Sequence, residues 1–269
     1  MEGDGIRLQV FLARAGICSR RAAEEMIGQG RVTVNGLEVR ERGTKVLPDD
    51  RVLLDGRPLE TERRLLYLAL NKPPGYICSS HDPQGRPRAL DLLPAVPERL
   101  YGVGRLDFLS SGLIFFTNDG DFAAKLGHPS AGIEKEYFVE ATGHVPDELI
   151  EAFLRGIELE GEFLKAKSVT RLQSRSVGIV LVEGKNREIR RVFSRFRLHP
   201  LHLRRIRIGP VRIGNLAQGE SRPLEETERE LLLGKGEIPQ TELPAGKFPE
   251  GNAENRKESR KKPRKELTW

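Results

Sequence analysis

Apolar residues recur three and four apart near the start of the chain, at Leu8, Phe11, Leu12 and Ala15, and Gly16 stands where the pattern stops, so a helix is predicted there. Ser19 is a good N-cap for a second helix through Ala22, Ala23, Met26 and Ile27, with Gly28 and Gly30 closing it. The period then shortens to two. Val32 and Val34, the turn dipeptide Asn35-Gly36, and Leu37 and Val39 predict a tight hairpin. Between Glu41 and Arg64 the residues Pro48, Asp49, Asp50, Asp55, Gly56 and Pro58 predict one short strand and loops, with a boundary near Arg63. Beyond it, apolar runs predict strands at 65–70, 113–117, 137–141 and 177–182, and helical spacing predicts helices at 121–126, 147–155 and 188–196. Strands and helices mix irregularly, which predicts an α+β fold rather than a regularly wound parallel sheet.

The 269 residues suffice for a small domain and a medium one. No apolar stretch is long enough to cross a bilayer. The opening MEGDGIRLQV lacks the basic start and apolar core of a secretory signal, so a cytoplasmic protein is expected. Cys18 and Cys78 stand alone and far apart, which predicts neither a disulfide framework nor a structural metal. Lys and Arg number 45 against 39 Asp and Glu, a net charge of +6, and its distribution says more than its size. Arg7, Arg14, Arg20, Arg21 and Arg31 make the opening element basic. Nine Lys or Arg lie between Lys185 and Arg207 against the single acid Glu188. From about Gly236 the chain is poor in apolar residues, and Arg256 to Lys265 holds seven basic residues and one acid, which predicts a disordered basic tail over 236–269. Nucleic acid is the predicted partner.

Several chemistries drop out. Gly102 and Gly104 begin a dinucleotide-type fingerprint, but Asp107 occupies the third glycine position. No P-loop and no GxSxG occur. His199 and His202 have no nearby cysteine or carboxylate and read as packing or RNA-facing groups rather than metal ligands. Two segments remain. In YGVGRLDFLSSGLIFFTNDGD, Asp107 follows Arg105 in a glycine-rich loop before a buried strand. It reads either as a turn cap or as a carboxylate held beside a guanidinium for nucleophilic attack. In EGKNREIRRVFSRFR, Ile189, Val192, Phe193 and Phe196 share one helix face while Arg187, Arg190, Arg191 and Arg195 occupy the other. That is an apolar seat with a phosphate-facing basic side, and Arg190, at its edge, is best placed to reach a partly buried carboxylate.

GRLDFLSSGLIFFTNDG resembles the GRLD-x-x-[ST]-SGL-x-x-x-TNDG signature of bacterial pseudouridine synthases of the RsuA/RluB group, which act on ribosomal RNA. NKPPGYICS, GIEKEYFV, EGKNREIRRV and LRRIRIGPVRIGNLAQGESRPL are similar to that group's further blocks, in order. The opening unit resembles the alpha-L, S4-type RNA-binding domain. The resemblance implies an S4-type domain over 6–63, a synthase domain over 65–235 with a mixed, mainly antiparallel sheet, and conversion of a uridine in ribosomal RNA to pseudouridine. It implies Asp107 as the catalytic carboxylate, Arg190 as its ion-pair partner and Tyr137 as the aromatic of the K-x-Y block. Leu203 would line the uracil pocket. Arg105, Lys185, Arg187, Arg191, Arg20 and Arg21 would meet the RNA. The isomerisation involves no redox change, so no cofactor and no metal are expected, and the chain is expected to be a monomer. The opening and the tail favour 23S over 16S ribosomal RNA as target. A non-catalytic assembly factor of the same fold is the alternative.

Overall fold

Leu8, Leu12, Ala23, Ile27, Val32, Val46 and Val52 close a small apolar core near the start of the chain. The computed structural model describes residues 5–59 and 64–235, and the following elements build that core. They are β1 (Ile6–Arg7), α1 (Leu8–Arg14), α2 (Arg20–Gly28), β2 (Val32–Val34), β3 (Leu37–Val39), β4 (Lys45–Val46), β5 (Val52–Leu54) and β6 (Arg57–Pro58). Both predicted helices are present. Ser19 caps α2 by accepting from the Ala22 amide. Asn35 and Gly36 take left-handed backbone, φ 52° and 84°, as a two-residue hairpin turn requires. The stretch read as one strand and loops holds three strands, and β5 pairs with β2 inside a four-stranded sheet ordered β3-β2-β5-β6. Strands of two or three residues are too short to show an alternation, which is why the pattern did not separate them.

The second region contains β7 (Tyr67–Lys72), β8 (Tyr101–Val103), β9 (Ser111–Thr117), α3 (Gly120–Gly127), β10 (Lys135–Ala141), α4 (Asp147–Arg155), β11 (Ile157–Leu159), β12 (Glu162–Leu164), β13 (Ser168–Gln173) and β14 (Ser176–Leu181). It ends with α5 (Glu188–Arg195), β15 (Pro200–Ile208), β16 (Val211–Arg212), β17 (Ser221–Pro223) and α6 (Glu226–Leu232). Nine strands form one mixed sheet ordered β13-β14-β10-β15-β9-β7-β17, with β8 on β9 and β16 on β15. Every pairing in it is antiparallel except β15 with β9. Strand β9 is apolar along its length because both faces are covered. Leu113 and Phe115 pack on one side with Phe122, Leu126 and Leu232, while Ile114 and Phe116 join the opposite core with Leu149, Phe153, Val192 and Phe193.

Strand β15 was not predicted, yet it lies at the centre of the sheet between β10 and β9. Its arginines mask the alternation, and the structure neutralises one of them: Arg207 meets Glu136 at 2.7 Å and Glu134 at 3.1 Å. Asn118 of the TNDG block pins the start of this region, accepting from the Leu66 amide and donating to the Arg64 carbonyl, both at 2.8 Å. Asp119 caps α3 and accepts from the Tyr67 hydroxyl at 2.7 Å, so that block is architectural. Among the described residues no helix is long and apolar enough to cross a membrane. The predicted tail over 236–269 and the boundary near Arg63 lie outside the described residues.

Candidate active site

The loop from Gly104 to Ser110 joins β8 to β9, and Gly104 enters it at φ 74°. The Ser110 amide donates to the Asp107 carbonyl at 3.0 Å, so the turn closes through the main chain and leaves the Asp107 carboxylate to face across the sheet. There Oδ2 meets Nε of Arg190, from α5, at 3.5 Å. The pair is an ion pair at the outer limit of hydrogen-bond distance, and that Nε has no other partner. Nη2 of Arg190 donates to Ser110 Oγ at 3.1 Å, which ties the guanidinium to the loop it serves. Burial pulls the Arg190 guanidinium below its ordinary value, and Asp107 offsets part of that. The Asp107 side chain is 35% exposed and that of Arg190 13%, so the carboxylate borders an opening while its partner backs it.

Tyr137 reaches the same place by register. In the β10 and β15 pairing Tyr137 stands opposite Arg205 and Val139 opposite Leu203, so these four share one face. The register slips between Glu136 and Tyr137, and the bulge sets the buried positions of β15 at Leu203 and Arg205 before it and Ile208 after it. Asp107, Arg190, Tyr137 and Leu203 thereby border one cavity of about 240 Å³. Arg105, Lys185 and Arg187 border it as well. Arg187 is exposed and holds left-handed backbone at φ 48°, an uncommon conformation for a side chain this large. Lys185 donates to the Phe163 carbonyl at 2.5 Å, which leaves its ammonium already engaged.

Arg191 is not at the cavity. It turns away from it to pair with Glu160 and Glu162 of the β11 and β12 hairpin, which corrects the expectation that it faces phosphate. A helix advances 100° per residue, so the neighbour of Arg190 points to a different side. Arg20 and Arg21 are exposed on α2, remote in sequence from the Asp107 loop. Arg20 borders a separate cavity with Arg99, Tyr101 and Gly120, and Arg14 of α1 bridges to Asp121 of α3 through bonds of 2.5 and 2.6 Å.

The residues that hold the loop were missed. Cys78 Sγ donates to the Leu106 carbonyl and accepts from the Leu106 amide, each at 3.3 Å, while the Gly75 amide donates to the Phe108 carbonyl at 2.7 Å. Both neighbours of Asp107 are thus clamped by the segment that follows β7. Arg205, almost fully buried, donates to the Leu113 carbonyl at 2.6 Å and the Arg105 carbonyl at 3.4 Å. Lys72, fully buried, donates to the Pro73 and Ser110 carbonyls at 2.8 and 2.7 Å. The NKPPG and LRRIR blocks held Lys72 and Arg205 in plain view, but nothing local in the sequence shows that they reach the Asp107 loop.

Burial pulls the Lys72 ammonium down from 10.5 to about 8. Because the folded value lies below the unfolded one, the penalty is full below about pH 8 and disappears as pH rises to 10.5. Compared with a Lys72→Met variant, the natural chain is expected to gain stability across that window, on the order of 3 kcal/mol. Urea unfolding of both proteins at a series of pH values measures this, and parallel curves would refute it.

Comparison with known proteins identifies the family of both regions. Residues 66–195 match the RNA pseudouridylate synthase family and residues 6–52 match the S4 domain. The chain is 41% identical over 220 residues to an uncharacterized RNA pseudouridine synthase of Borreliella burgdorferi, covering 80% of this chain and 88% of that one. It is 38% identical over 228 residues to ribosomal large subunit pseudouridine synthase B of Bacillus subtilis, covering 82% and 93%. A solved pseudouridylate synthase structure superposes with a TM-score of 0.63 at 29% identity, covering 84% of this chain and 99% of that one.

Proposed function

The chain belongs to the RsuA/RluB family of RNA pseudouridine synthases, and from that premise we propose that it isomerises a uridine of 23S ribosomal RNA with Asp107 as the reacting carboxylate. It is an RNA isomerase that binds RNA through its S4 domain. The observation that carries the site assignment is the convergence of Asp107, Arg190 and Tyr137, from three separated segments, on one cavity. We assign residues 6–63 to RNA binding and 65–235 to the synthase.

In the reaction the bond from ribose C1′ to uracil N1 breaks, the base turns over within the cavity, and a bond from C1′ to C5 forms. The proton on C5 leaves and N1 gains one, so no group and no electron is exchanged with an outside reagent. Asp107 either bonds covalently to the nucleoside during this sequence or stabilises positive charge growing on the sugar. Arg190 orients that carboxylate. The Tyr137 ring offers a stacking face for the base and its hydroxyl a group for the C5 proton. Leu203 walls the cavity with apolar surface and so helps keep water from the detached base. Arg187 and Arg105, exposed beside the opening, are suited to the flanking phosphates.

The 23S target rests on the relatives, two of which, from Bacillus subtilis and Pseudomonas aeruginosa, are named ribosomal large subunit pseudouridine synthase B. Unmodified 23S and 16S transcripts incubated with the purified chain and mapped with carbodiimide and primer extension test it. A new pseudouridine in 23S alone is expected. Modification of 16S alone refutes the target, and modification of neither refutes the ribosomal assignment.

A further inference from the structure

The turn that carries Asp107 has an unusual tip. With the Ser110 amide bonded to the Asp107 carbonyl, Phe108 and Leu109 occupy its two central positions. Such positions usually hold Gly, Asn, Asp, Ser or Pro. Here two large apolar side chains stand there, 41% and 64% exposed. Single exposed apolar residues are ordinary. An adjacent pair beside a reacting carboxylate is a different matter. Asp107 and Ser110 border the cavity while neither tip residue does, so the turn has its feet in the site and its tip outside the rim.

The tip is also held. The Phe108 carbonyl accepts from Gly75 and the Ser110 carbonyl from Lys72, so the backbone on which both side chains stand is anchored to the strand segment beneath. Exposed Arg105 lies just before the tip, and exposed Arg187 stands across the same cavity. An apolar point set among cations matches a nucleic acid strand, which offers base faces and phosphates together, better than the apolar face of a protein.

A uridine stacked in structured RNA cannot present its sugar carbon and base to Asp107 without leaving the stack, and the gap left behind costs a few kcal/mol. Phe and Leu are side chains that enter such gaps. We propose that Phe108 and Leu109 form an apolar wedge that inserts into the RNA base stack and fills the space vacated as the uridine turns into the Asp107 cavity. The wedge rests on the reading of Asp107 as the reacting group.

The test uses the full chain, its Phe108→Ala/Leu109→Ala double variant, and two RNAs carrying the mapped uridine: a hairpin, and a short oligonucleotide of the same sequence that cannot pair. A 2-aminopurine replaces the base next to the uridine in the hairpin. The double variant is expected to lose about ten- to a hundred-fold in kcat/KM on the hairpin and little on the unpaired oligonucleotide, with an unchanged melting temperature. The 2-aminopurine fluorescence is expected to change on binding the natural chain and the Asp107→Asn variant but not the double variant. Phe108→Leu/Leu109→Met, which keeps apolar bulk, is expected to restore both signals. Equal losses on the two RNAs, or an undiminished fluorescence change with the double variant, overturn the wedge. So does full activity of the double variant accompanied by loss of a dimer in sedimentation, which would mark the tip as a protein contact. The fluorescence arm requires no turnover, so the wedge is judged even if Asp107→Asn proves active and the reading of that carboxylate fails.

Discussion

Asp107→Asn is expected to yield a folded, RNA-binding protein that forms pseudouridine at a rate lower by about a thousand-fold or more. Asn has the shape of Asp without its charge or its nucleophilic oxygen. The fold has little stake in the change. The turn closes through the Asp107 carbonyl, and a partly exposed ion pair such as Asp107 with Arg190 contributes about 0–1 kcal/mol. Stability should therefore move by no more than about 1 kcal/mol. Asp107→Glu is the informative companion, because it keeps the charge and shifts it by one methylene. A loss of about a hundred-fold or more would show that position matters as much as charge. Tritium release from [5-³H]uridine in a ribosomal RNA transcript measures both. Wild-type rates for Asp107→Asn would remove Asp107 from the chemistry.

Gly112→Ala is expected to damage the whole molecule. Gly112 holds φ 104°, and a Cβ placed on it would lie 2.2 Å from the Arg205 carbonyl oxygen, 2.6 Å from its nitrogen and 2.9 Å from its carbonyl carbon. These are main-chain atoms of β15, which cannot swing aside as a flexible side chain can. The contact sits in the one parallel pairing of the large sheet, where Gly112 stands opposite Arg205 and Ser111 opposite Arg204. A methyl group there must push β9 from β15 or force the backbone from its conformation, and a loss of more than about 3 kcal/mol is expected. Because β9 carries the Asp107 loop and Arg205 binds the Arg105 carbonyl, any fraction that folds should also lose activity. Urea unfolding measures the first effect. A variant within about 1 kcal/mol of the natural chain would show that the strands separate easily.

Much of this was legible in the chain because it is local. The Ser19 cap, the Asn35-Gly36 turn and the amphipathic seat at Ile189, Val192 and Phe193 each depend on neighbours a few residues away. Only one of the short strands at Lys45–Val46, Val52–Leu54 and Arg57–Pro58 was expected, because the first two pair with β1 and β2 well back in the chain and the third is only two residues long. The long strand at Pro200–Ile208 escaped because its pairing partners and neutralising carboxylates lie far along the sequence. The site divides in the same way. The GRLD, K-x-Y and REIRR blocks name Asp107, Tyr137 and Arg190 through resemblance, whereas their meeting depends on where β10 and α5 lie relative to the loop.

The chain by itself determined its helices, its hairpin, its basic character and the residue types on which an RNA isomerase depends, because capping, turn and periodicity are set within a few bonds. Only the tertiary structure decided that Arg190 faces Asp107 while Arg191 turns to Glu160 and Glu162, and that Cys78, Gly75, Lys72 and Arg205 clamp the loop. The reason is geometric: one step of 100° along a helix, or one bulge in a strand, redirects a side chain by several ångströms, and which direction meets a partner is settled by elements scores of residues away.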